Sequence, residues 1–182
     1  GIWGFALWDP TAQQLILSRD PVGVKPLVRT KTNDGTLLFS SECKSLRAHP
    51  SHIPIVDEEA LVARLAFEYP LDDTTLFKDV HQVRPGTAEI WKLKEDGAYL
   101  DSVLIYNSEK VSPVQNWDPS QAPKLLETLT QSLADRLMSD VPVGIVLSGG
   151  LDSAMVAALA REASERTGYP IPACWTVAES ED

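Results

Sequence analysis

The hexad Ser148-Gly149-Gly150-Leu151-Asp152-Ser153 gathers the residue types that hold anions: two hydroxyls, two adjacent glycines and one acid. Glycine weakens any regular element, so an adjacent pair needs a reason. Backbone without Cβ can close on phosphate oxygens, and the first amides of a helix, aided by its dipole, attract negative charge. The hydroxyls of Ser148 and Ser153 would add donors. Asp152 would repel phosphate unless a divalent cation lay between them, so its chemistry points to Mg²⁺. The competing reading is a capped helix, with Asp152 or Ser153 as N-cap and the glycines as an ordinary turn.

The elements that flank the hexad favour the first reading. "VPVGIVL" reads as a buried strand. "DSAMVAALAREASERTG" reads as a helix that turns Met155, Val156, Leu159, Ala160 and Ala163 inward and stops at Gly168, with Pro170 just beyond. "IPACWTVA" is the next strand. Such a unit predicts parallel strands with a right-handed crossover, which puts the hexad at the carboxyl end of a strand, where anions bind. The signature G-x-x-x-x-G-K-[ST] is absent, which argues against an ordinary γ-phosphate-transferring NTPase.

Upstream, "SQAPKLLETLTQSLADRLMSD" spaces Leu125, Leu126, Leu129, Leu133 and Leu137 as a helix, with Ser120 as cap and Pro123 in the first turn. The earlier part of the chain is strand-like and dense in turns. "IWGFALW" and "QQLILS" are extended runs, and Asp34-Gly35 predicts a hairpin within "TNDGTLLFSSE". A helix capped by Asp57 is expected at "DEEALVARLAFEY", with Leu61 and Leu65 on one face. "RPGTAEIWKL", "EDGAYL" and "SVLIY" read as a terminal meander turning at Asp96-Gly97. Periodicity lapses between Tyr106 and Pro119, giving domains at 1–105 and 120–182 joined by a linker over 106–119.

Composition narrows the function classes. A net charge of −10 and a pI of about 4.7 leave no basic stripe, which disfavours nucleic acid as a partner. Cys43 and Cys174 form no metal or disulfide framework, which fits a reducing cytoplasm, and His49, His52 and His81 match no metal spacing. No apolar run reaches the roughly 18 residues of a membrane span. The chain begins inside an apolar run without an initiator Met, and reads as an internal piece of a longer protein. Trp3, Trp8 and Trp91 alternate with apolar residues and are expected in the core, and Glu162, Glu165 and Arg166 on a solvated helix face.

"SGGLDS" after an apolar strand resembles the PP-loop of the ATP pyrophosphatases, which cleave ATP between its α and β phosphates to adenylate a substrate. "GIWGFALWD", "LILSRDPVGVKPL", "LLFSSECKSL" and "TLFKDVHQVRPGT" resemble, in order, the second half of a class II, N-terminal-nucleophile glutaminase domain. Together with "DRLMSDVPVGIVLSGGLDSA" they are similar to the glutamine-hydrolysing asparagine synthetases over nearly the whole chain. The resemblance implies an α+β sandwich followed by the start of an α/β, Rossmann-like domain. It implies ATP and Mg²⁺ as cofactors, with aspartate, glutamine and ATP as small-molecule substrates, and commonly a homodimer. Ammonia from glutamine would displace AMP from β-aspartyl-AMP to give asparagine.

Carried onto this sequence, the resemblance assigns pyrophosphate and metal to Ser148, Gly149, Gly150, Asp152 and Ser153, with Mg²⁺ reaching Asp152 through pyrophosphate. It assigns the adenine nucleotide to Leu147 and Val177. The nucleophilic N-terminal Cys and the glutamine-recognising motifs of that family fall before Gly1, and its S-G-x-G-x-D-E stretch beyond Asp182. No catalytic residue is therefore expected in this chain, which is predicted to release no ammonia from glutamine. Cys43 is internal and reads as a small core or helix residue, and Arg19-Asp20 as a charge pair that orders "RDPVGVKPL". Two alternatives stay open: a related amide-forming ligase of the β-lactam synthetase kind, and a non-catalytic binding protein that keeps the fold.

Overall fold

The computed structural model describes residues 1–106 and 118–177. The chain divides into two compact units, Gly1–Val111 and Ser112–Asp182. Most of the 106–119 stretch expected to link them, residues 107–117, lies outside the described residues.

The first unit is built on two antiparallel sheets. One holds β1 (Gly4–Asp9), β2 (Gln14–Arg19), β6 (Thr87–Lys94) and β7 (Gly97–Ile105) in the order β1-β2-β6-β7. The other holds β3 (Val28–Lys31), β4 (Leu37–Ser40) and β5 (Val80–Gln82) in the order β4-β3-β5. Period-two alternation sends one face of each sheet into a shared core of Leu17, Leu27, Val83, Trp91 and Ala98. Leu17 and Val83 expose nothing to solvent, each contributing about 1.5–3 kcal/mol of apolar burial. On the outer face of the smaller sheet, Val28 and Val80 pack with Leu46 of the short helix α1 (Cys43–Leu46).

The predicted hairpin forms. β3 and β4 pair from Val28↔Ser40 to Lys31↔Leu37 around Gly35, whose φ of +86° is costly for any residue with a Cβ. "EDGAYL" and "SVLIY", expected as separate runs, make one strand, β7, because pairing with β6 continues through a bulge between Ile90 and Trp91. The two hairpin turns meet. A Cβ on Gly35 would lie 2.5 Å from the Asp96 carbonyl oxygen, one on Gly97 would lie 2.5 Å from the Gly35 Cα, and the Ala98 amide donates to the Gly35 carbonyl at 2.9 Å.

Helix α2 (Glu58–Phe67) starts where expected, with the Asp57 carboxylate accepting from the Ala60 amide at 3.0 Å. Its apolar face is not buried, and Leu65 is 76% exposed. The tryptophans divide similarly: Trp91 is buried, whereas Trp3 is half-buried and Trp8 exposed. Trp8 lies on the edge strand β1, where no described strand covers its flank.

In the second unit, α3 (Ala122–Ala134) packs against α4 (Leu151–Thr167) through Ala134, Leu137 and Ala163. The expected cap Ser120 is instead a donor. Asp118 opens a 3₁₀ turn over Pro119–Gln121 and accepts from both the amide and the hydroxyl of Ser120. Strands β8 (Gly144–Val146) and β9 (Ala173–Trp175) pair in parallel, as the strand–helix–strand pattern predicts. The expected burial differs: Val146 is 74% exposed and Met155 and Val156 stand open, whereas Ala160 is buried and Ala163 packs with Ala134 and Leu137. Nor is the Glu162/Arg166 face simply solvated. Arg166 grips Glu127 of α3 with two hydrogen bonds at 2.6 and 2.7 Å and also bonds Glu162 at 2.5 Å.

Candidate functional site

The hexad occupies the expected junction. β8 ends at Val146, and the Leu147 amide extends its pairing by donating to the Trp175 carbonyl at 2.7 Å. The chain then turns through Gly149 at φ +81° and enters α4, whose N-cap is Gly150. No side chain caps this helix, so its opening amides keep the orphan donors that a helix start leaves. The capped-helix reading therefore fails at its central requirement: neither Asp152 nor Ser153 is the cap.

The glycines separate into two roles. Gly149 needs its left-handed backbone. Gly150, at φ −78° and ψ 161°, adopts an extended conformation open to any residue. A Cβ built on Gly150 would meet only the Ser148 hydroxyl, at 3.6 Å, and one on Gly149 would meet nothing within 4 Å. Packing within the chain thus gives no reason for glycine at Gly150.

The hydroxyls are already aligned with each other. Ser148 and Ser153 lie 3.1 Å apart, and Ser153 donates to the Gly150 carbonyl at 3.1 Å. A hydroxyl has one proton, so with that donation made, Ser148 is the donor in the Ser148–Ser153 pair. Asp152 sits in the first turn of α4, where the helix dipole favours its charge. Leu147 is half-buried at the end of β8, and Val177, two residues past β9, is 93% exposed at the corresponding end of the neighbouring strand.

A divalent cation would find hard oxygen donors in Asp152, Ser148 and Ser153. Among the described residues no group of three His, Cys, Asp or Glu side chains surrounds it. No helix among the described residues is long and apolar enough to cross a membrane.

In the first unit, Cys43 opens α1 against Val28, Leu46 and Val80. Burial pushes its thiol up from its ordinary value, despite a hydrogen bond from Thr75 that works the other way, which suits a packing residue rather than a thiolate. Sequence reasoning missed an ion pair between the sheets: Arg29 Nε of β3 lies 2.6 Å from Glu89 of β6. Glu89, only 3% exposed, also accepts from Trp91 Nε1 at 2.9 Å, and Arg29 lies 5.4 Å from the centre of the Trp91 ring. The available signal was an acid in phase with the inward Thr87 and Trp91 of "TAEIWK".

Comparison with known proteins agrees with both units. Residues 1–101 match the family model of the glutamine amidotransferase domain, and residues 124–177 match that of asparagine synthase. The chain is 33% identical over 162 residues to asparagine synthetase (glutamine-hydrolyzing) 1 of Bacillus subtilis strain 168, covering 89% of this chain and 25% of that protein. It is 33% identical over 169 residues to asparagine synthetase (glutamine-hydrolyzing) 3 of the same organism, covering 92% of this chain and 26% of that protein. Amidase chry2 of Gibberella zeae is 34% identical over 163 residues, 87% of this chain and 23% of its own length. The chain thus spans about a quarter of the length of these relatives. It belongs to the glutamine amidotransferase domain family, joined here to an asparagine synthase segment in the arrangement of the glutamine-hydrolysing asparagine synthetases.

Proposed function

We propose that this chain is part of an ATP-dependent carbon–nitrogen ligase of the asparagine synthetase type, in which ammonia from glutamine amidates an adenylated aspartate. The first unit is the second half of an N-terminal-nucleophile glutaminase sandwich, and the second opens a Rossmann-like nucleotide-binding domain, with the boundary within 106–119. The cytoplasm as its compartment and a homodimer as its assembly belong to the same reading.

The observation that carries it is the uncapped start of α4 beside two glycines with clear space where a Cβ would stand. The amides of this turn hold the pyrophosphate portion of ATP, and the hydroxyls of Ser148 and Ser153 swing from each other onto its oxygens. Gly149 supplies the backbone turn, and Gly150 lets the chain approach the phosphate. Asp152 holds Mg²⁺ through that pyrophosphate; when bound, the ion offsets charge on the leaving group. Leu147 and Val177 contact the adenine nucleotide from adjoining strand ends.

Equilibrium titration of the chain with ATP, with and without Mg²⁺, tests this reading. Saturable binding strengthened by Mg²⁺ and lost in Ser148→Ala/Ser153→Ala supports it. Absence of binding to the chain and to the full-length protein alike overturns it. A second reading keeps the adenylating site and changes the acceptor acid, as in an amide-forming ligase of the β-lactam synthetase kind; a relative named as an amidase shows that the sequence match reaches beyond proteins named asparagine synthetase. Amide formation by the full-length protein with acids other than aspartate would select it.

A further inference from the structure

A cavity of about 180 Å³ opens in the first unit, far in sequence from the hexad, and Lys31, Asn33, His52, Ile55, Lys78 and Asp79 are among the residues that line it. One wall is the end of β3. The other is a pair of extended segments, in which the Lys78 amide donates to the Ile55 carbonyl at 2.9 Å and the Asp57 amide to the Leu76 carbonyl at 3.0 Å. Two cationic side chains from separate elements therefore line one hollow in a chain of net charge −10.

Neither Lys31 nor Lys78 forms an ion pair with any described residue. The acid of the adjoining turn, Asp34, is already occupied by the Thr32 hydroxyl at 2.6 Å, the Thr36 amide at 3.1 Å and the Ser51 hydroxyl at 2.8 Å. Asp79 is the one carboxylate in the lining, and its φ of +60° holds a non-glycine residue in the left-handed region at the cavity. The lining sets two lysines against one carboxylate, with the Asn33 amide and the His52 imidazole as further polar groups, while Asp34, whose hydrogen bonds leave its charge in place, adjoins the hollow through Ser51.

We propose that Lys31 and Lys78 form a binding site for a small anion carrying phosphate or paired carboxylates, independent of the nucleotide site. The lysines are solvent-exposed, so affinity falls as salt rises. Asp79 opposes the ligand and limits how much negative charge the site accepts.

Amide NMR of the chain titrated with inorganic phosphate, and in parallel with succinate, tests the site. Saturable shifts are expected at Asn33, His52, Lys78 and Asp79. Lys31→Met and Lys78→Met should each weaken binding about two- to fivefold, the scale of one lost exposed charge contact. Asp79→Asn keeps a side chain that tolerates the left-handed backbone and should tighten binding. Saturation by phosphate alone assigns a phosphate ligand, and saturation by succinate alone a dicarboxylate. Shifts confined to Gly149–Ser153, or affinity unchanged in both Met variants, would overturn the proposal while leaving the nucleotide site intact.

Discussion

Arg19 and Asp20, neighbours at the end of β2, divide the following loop between them by polarity. The Asp20 carboxylate accepts from the amides of Val22, Val24 and Lys25 at 3.3, 3.0 and 2.9 Å. The Arg19 guanidinium donates to the carbonyls of Gly23 and Lys25, both at 2.8 Å, and reaches across to Gln82 and the Val83 carbonyl, both at 3.1 Å. Lys25 is therefore held at both its N–H and its C=O. The pair orders "RDPVGVKPL", as its sequence suggested, but through the loop's backbone rather than by joining each other.

Acid should loosen this loop. Burial of Asp20 disfavours its charge, yet the amides outweigh burial and hold its carboxyl at about 2. A carboxyl depressed when folded contributes stability above its unfolded value near 4, and that contribution disappears as pH falls from about 4 to about 2. Thermal melts of the chain across this interval should steepen in pH dependence relative to Asp20→Asn. Equal slopes in the two proteins would contradict the assignment.

Breaking the ion pair between the sheets should cost far more than a surface bridge. Arg29→Met strips the almost wholly buried Glu89 of its cation, and urea denaturation should report a loss of about 3–5 kcal/mol. Arg29→Met combined with Glu89→Leu should regain most of that loss, since an apolar pair no longer strands a charge. A double variant no better than the single one would show that the pair's value lies in geometry elsewhere.

Gly150→Ala separates folding from binding at the hexad. Its extended backbone suits alanine, and the added methyl meets nothing closer than 3.6 Å. Stability should therefore fall by no more than about 1 kcal/mol, the scale of alanine replacing a favoured N-cap residue. ATP affinity should fall about tenfold or more, because the methyl occupies the space assigned to phosphate. A melt unchanged together with unchanged ATP binding would remove Gly150 from the site.

The sequence made local events legible where a residue type has one physical use. Asp34-Gly35 announced a hairpin, Asp57 a cap, Gly168 the left-handed end of α4, and "SGGLDS" a strand-to-helix turn. Burial was less legible, because periodicity names a face without naming its cover. Val146, Met155 and Leu65 have the right phase and remain exposed. The Arg29–Glu89 contact was hidden for another reason: its partners are sixty residues apart and meet only once two sheets stack.

The contact between Gly35 and Gly97 makes the lengths of two hairpins a joint property. One turn belongs to each sheet, and the chains touch backbone to backbone with no side chain between as a cushion. An insertion in either turn would be felt in the other sheet, so this corner should resist tags, grafts and circular permutation. The exposed Pro10–Gln13 connection between β1 and β2 is the more forgiving place to open or lengthen the unit.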